Sequence, residues 1–132
     1  MPSPSRQDSH ETVFNRTSAV IKDILHRLID LARSREAITE REMMTNIMLA
    51  TLNEIFPMLE HIKCLAFIIT SGEPNSDLAR EFGVEYLAGD FLVEVDGIVE
   101  SLRHVRCWLI TGLITPAGMI DALGGLLGSL PF

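Results

Sequence analysis

The chain has 132 residues, two cysteines and a formal net charge of −7. That length suits one domain whose core needs neither disulfides nor metal, and the negative charge argues against nucleic acid, whose affinity comes mostly from Lys and Arg neutralising phosphates. Hydrophobic residues make up 47% of the chain and the mean hydropathy is +0.24, more apolar side chain than a small body hides internally, so some of it is expected to face a partner, a second copy or a membrane.

Residues 1–8 carry no apolar run of the kind a secretory signal needs and read as a disordered lead-in. Residues 9–132 read as a single helical domain. Asp8 is placed to cap a first helix with Glu11 at its third position, and Val13, Val20, Ile21, Ile24, Leu28 and Leu31 follow at helical spacing until about Ser34. Thr39, Glu40, Arg41 and Glu42 form a second capping box. Behind it Met44, Ile47, Met48, Thr51, Ile55, Leu59, Ile62, Ala66 and Ile69 keep the same period. Pro57 lies inside this run and either kinks the helix or divides it, because it removes one backbone donor and its ring crowds the preceding turn.

Residues 71–75 are a loop, after which Ser76 caps a short helix that Gly83 closes. Asp90 is placed to cap a further helix with Phe91, Val95, Ile98, Leu102, Val105 and Leu109 on one face, although Asp96-Gly97 also suits a hairpin turn between short strands. Thr115 followed by Pro116 starts a last helix, which Gly124-Gly125 is expected to end just after Leu123. Residues 52–67 can be laid on 95–110 without a gap, so that Ile55, Leu59, His61 and Cys64 coincide with Ile98, Leu102, His104 and Cys107. This echo points to a duplicated unit of long helix, loop and short helix. The fold class is therefore all-α, an antiparallel bundle of four or five helices with Val20, Ile24, Leu28, Ile47, Ile55, Leu59, Ile62, Ile98, Leu102, Val105 and Leu109 in its core. The alternative is α+β, with strands at 65–70 and 91–100.

No motif specific enough to name a family or a reaction occurs. A glycine-rich phosphate loop, a His-Glu-x-x-His run and a Gly-x-Ser-x-Gly elbow are all missing from the sequence, so no catalytic or cofactor-binding residue is assigned. Asp23, His26 and Asp30 read as a solvated helix face. His61-x-x-Cys64 and His104-x-x-Cys107 have the spacing at which one helix can offer two ligands to zinc, but both cysteines fall opposite the main apolar stripe, so no metal ligand is assigned either. Basic neighbours of these cysteines, Lys63, Arg103 and Arg106, would also suit a redox-sensing thiol. Met43, Met44, Met48 and Met58 suit either an irregular core or an adaptable binding surface.

The apolar tract at 107–132 has Asp121 as its only acidic or basic residue. It reads as a tail folded back on the bundle, a subunit contact or, less readily for want of Lys and Arg, a membrane-surface segment. The sequence thus describes a cytoplasmic, non-enzymatic interaction module such as an adaptor, small chaperone or regulator, binding another protein and forming a homodimer or small homo-oligomer through Phe67, Ile68, Trp108, Leu123, Leu126, Leu127 and Leu130. A metal-binding or redox-sensing helical protein is the second reading.

Overall fold

The computed structural model describes residues 9–35 and 41–132. The order is α1 (His10–Arg35), α2 (Arg41–Asn53), α3 (Ile55–Gly72), α4 (Asp77–Phe82), α5 (Val84–Ala88), α6 (Asp90–Thr111) and α7 (Pro116–Ser129). There is no strand among the described residues, so the turn signal at Asp96-Gly97 is overruled and that segment continues α6. Burial decides this: Val95, Ile98, Val99 and Leu102 are all buried on one helix face, and a buried aliphatic side chain contributes about 1.5–3 kcal/mol against roughly 1 kcal/mol lost to a helical glycine.

Four rods run antiparallel, because contacts at one end join the start of α1, the end of α3, the start of α6 and the chain's last residue. His10 Nδ1 lies 2.9 Å from Glu73, the Phe14 and Phe91 rings are 5.7 Å apart, and Phe91 meets Phe132 at 6.3 Å. The second rod is α2 and α3 together. Pro57 offers no N–H to Asn53, and Glu54 turns tightly by donating its N–H to the Thr51 carbonyl three residues back. Glu54 keeps helical backbone angles, so the rod bends while one buried stripe runs through Met44, Met48, Leu52, Ile55, Leu59, Ile62, Ala66 and Ile69. α1 packs on α2, α3 and α7, and α6 packs on α2, α3, α5 and α7.

Several helix ends differ from the sequence expectation. Ser9 caps α1, its hydroxyl accepting the Thr12 N–H at 3.1 Å, while Asp8 and the 39–40 half of the second capping box lie outside the described residues. Glu11 reaches beyond its own helix: its carboxylate accepts the Leu78 N–H at 2.6 Å and so ties α4 to α1. Asp90 is the first residue of α6, whose cap position is Gly89 with no side-chain bond. Ser76 and Thr115 do cap α4 and α7. Gly83 has φ 89° and closes α4, a conformation that L side chains rarely adopt. Gly124-Gly125 do not end α7, which continues to Ser129 because Leu126 is buried and Leu127 half-buried beyond the point where glycine would stop it.

Two core assignments are also corrected. Val20 and Ile47 are exposed. Each lies one residue, about 100° of rotation, from the position its helix buries, Ile21 and Met48 respectively. The hydroxyls that do enter the core are satisfied locally, Ser18 by the Phe14 carbonyl and Thr51 by the Ile47 carbonyl.

Two outcomes follow from this packing. A Cβ built on Gly97 meets nothing within 4 Å, so Gly97→Ala is expected to stabilise the protein by about 0.5–1 kcal/mol in chemical denaturation. Tyr86, the single tyrosine, is pushed up to about 12 by burial and by donating its hydroxyl to Glu94. The folded state therefore holds this proton more tightly than the unfolded chain, and the contribution is whole below pH 10 and lost as pH rises through about 12. Phenolate absorbance should show that midpoint, and Glu94→Gln should move it back toward 10.

Candidate interaction surface

The register of α3 on α6 is set by two contacts. Lys63 Nζ reaches Asp96 at 2.6 Å and Glu60 at 3.2 Å. At the other end Arg106 donates to Asn53 Oδ1 at 3.3 Å and lies over the Phe56 ring, 4.8 Å from its centroid. The sequence echo pairs Lys63 with Arg106 and Asn53 with Asp96, so the two contacts are exchanged when the segments are exchanged. The repeat therefore coincides with a local two-fold relation between antiparallel helices. It does not extend further: Gly83 closes α4, whereas its counterpart Gly124 sits inside α7.

This register leaves the echoed polar residues on outward faces. His61, Cys64, His104 and Cys107 are exposed, and both thiols are free. The His104 ring stacks on Trp108 with centroids 6.1 Å apart. No group of three or more His, Cys, Asp or Glu among the described residues is placed to hold one metal ion, so each pair would need ligands from elsewhere. Asp23, His26 and Asp30 are exposed on α1, with Asp30 paired to Arg33 at 3.3 Å.

The seven expected interaction residues divide into three groups. Phe67 is 63% exposed and Ile68 39% exposed on α3, and Trp108 is 43% exposed on α6. Leu123 and Leu126 are buried in the core, and Leu127 and Leu130 are half-buried against it. Phe67 and Trp108 do not share a surface: with Lys63 level with Asp96, Phe67 is level with about Leu92, sixteen residues or roughly 24 Å of helix from Trp108. Val93, Ile110 and Leu113 are also exposed, and the sequence pattern does not single them out. The signal for Ile110 was available, since it lies one residue off the buried position Leu109.

The outward side of α3 is a weakly polar face. Pro57, His61, Cys64, Phe67, Ile68 and Ser71 are exposed along it, and six of the helix's 18 residues are buried. The segment Met43–Gly72 is long and apolar enough to cross a membrane by length and composition, with 33% of its qualifying window buried. Of the methionines, Met44 and Met48 are in the core and Met43 is exposed.

Two surface depressions flank these faces. One, of about 340 Å³, lies between α6 and α7 beside Trp108, His104 and Gly125. The other, of about 350 Å³, lies where the bent rod passes α6, between Phe56 and Pro57 on one wall and Arg103 and Arg106 on the other. Compared with protein-family models, curated proteins and solved structures, the chain matches none.

Lys63 is held above its ordinary value of 10.5, chiefly by the Asp96 hydrogen bond and then by Glu60, against the opposing effect of burial. The stabilisation is thus whole below pH 10.5 and lost as pH rises through the elevated folded value. With side-chain exposures of 24% and 60% the pair is partly solvated. A Lys63→Ala, Asp96→Ala double-mutant cycle is expected to give a coupling of about 0.5–1 kcal/mol at neutral pH, shrinking with added salt.

Proposed function

We propose that this chain is a non-enzymatic protein–protein interaction module, an adaptor, small chaperone or regulator of the cytoplasm, which self-associates through the outward face of α3. The observation that carries this reading is that α3 presents Phe67 and Ile68 side by side to solvent, 63% and 39% exposed, on a face away from its charged residues. Glu60 and Lys63 are the only charged residues of α3 and lie toward its α6 side, where Lys63 pairs with Asp96. Apolar helix faces of this kind gain most when a second copy covers them. The net charge of −7 opposes that pairing by mutual repulsion, so association should strengthen as salt screens it. A reducing cytoplasm suits two exposed thiols that are not paired with each other.

Sedimentation at tens of micromolar is expected to show a dimer or small closed oligomer. Phe67→Asp together with Ile68→Asp should convert it to monomer with its helical circular dichroism intact. Because Trp108 lies far along the bundle from Phe67, Trp108→Ala should leave the oligomer in place. A soluble monomer for the unmodified protein would remove the physical support for this reading.

A second reading rests on the exposure of both His-x-x-Cys pairs on outward helix faces. Two ligands per face can complete a tetrahedral zinc site only with two more from another copy. Zinc that co-purifies at half an equivalent or more per chain, and is lost with Cys64→Ser or Cys107→Ser, would favour it.

A further inference from the structure

The cleft beside the bend at Pro57 holds a positive charge that the fold does not neutralise. Arg106 is half-buried and makes no ion pair among the described residues, although the chain carries 18 Asp and Glu against 11 Lys and Arg. Its one hydrogen bond there is the long contact to Asn53 at 3.3 Å, and Phe56 lies against its face at 4.8 Å. A guanidinium seated over an aromatic ring is held in place while most of its five N–H donors stay free for a planar acceptor. Arg103 lines the same cleft one helical turn away and is held only loosely by Glu100 at 3.4 Å. Every other described cation with a partner in the α3 and α6 pair reaches a carboxylate, so Arg106 stands apart within its own environment.

We propose that this cleft is a binding site for a small organic monoanion, a carboxylate with a flat apolar body. Arg106 takes the carboxylate edge-on through two parallel N–H donors, Arg103 adds a second cationic contact, and the body lies on Phe56, Pro57 and Val99. Glu60 also lines the cleft. Together with the net charge of −7, it disfavours multiply charged ligands such as phosphate esters. The volume of about 350 Å³ is at the small end for organic ligands. This site is independent of self-association through Phe67 and Ile68, which lie beyond Lys63 toward the other end of α3.

The test is a titration of the full chain with phenylacetate, followed by amide and arginine side-chain NMR shifts, with N-acetylphenylalanine and inorganic phosphate in parallel. Phenylacetate is expected to bind saturably in the millimolar range and to shift the Arg106 and Phe56 signals. Tighter binding of N-acetylphenylalanine would assign the natural carboxylate to a peptide end, and tighter binding of phenylacetate to a free acid; the carboxylate site stands in either case. Arg106→Gln should weaken binding by about tenfold or more, and Arg106→Lys, which keeps the charge but loses the planar fork, by several-fold. Arg103→Gln should have a smaller effect. Phosphate binding more tightly than both carboxylates, absence of saturation up to tens of millimolar, or affinity unchanged in a folded Arg106→Gln protein would each overturn the proposal.

Discussion

Phe91 is the side chain on which the arrangement of the chain depends. Its ring meets Phe14 of α1, Phe82 of α4, Tyr86 of α5 and Phe132 at the carboxy terminus. These contacts bring the start of α1, the start of α6 and the end of the chain to one end of the bundle, and that end sets the direction of every rod. Aromatic rings suit the task because each offers a large apolar area and a preferred edge-on geometry. The polar ties beside them, His10 to Glu73 and the Leu78 N–H to Glu11, add orientation where apolar contact alone has little.

The bend at Pro57 is the second constraint, and it has consequences on both sides of the rod. On the inner side the buried stripe passes through it unbroken, so α2 and α3 act as one packing element against α1. On the outer side the bend leaves room beside α6, and the cleft of about 350 Å³ forms there. The same register that closes Lys63 onto Asp96 leaves Arg106 facing Asn53, an amide that cannot neutralise it. A sequence repeat read only as similarity thus becomes, in three dimensions, one neutralised and one unneutralised copy of the same contact.

The apolar surplus of the chain is divided unevenly. The large apolar side chains of α7 and the last residue are absorbed, with Met119, Leu123 and Leu126 buried, Ile120 and Leu127 half-buried and Phe132 seated on Phe91. The surplus that remains visible is spread over the surface: Val20, Met43, Ile47 and Val93 face solvent singly, and Phe67 with Ile68 on α3 and Trp108, Ile110 and Leu113 at and after the end of α6 lie near one another in the chain. A helix in a four-rod bundle has neighbours on one side only, so a helix apolar all round must expose some of what it carries.

The sequence by itself determined the helices. The 3.6-residue spacing of Ile24 and Leu28, of Ile55, Leu59 and Ile62, and of Ile98, Leu102, Val105 and Leu109 is a local property, and so are the caps at Ser76 and Thr115 and the closing glycine at Gly83. The tertiary structure alone decided what depends on residues distant in the chain. Whether Gly124-Gly125 ends a helix is settled by the burial of Leu126 beyond them, and that Glu11 reaches the start of α4 is settled by where Leu78 comes to lie. Val20 and Ile47 belong to the apolar pattern yet face solvent, because a difference of about 100° around a helix axis becomes visible only once its neighbours are placed. The arginine cleft was illegible for the same reason: Phe56 and Arg106 are 50 positions apart, and only the antiparallel packing of α3 on α6 brings that ring and that charge together.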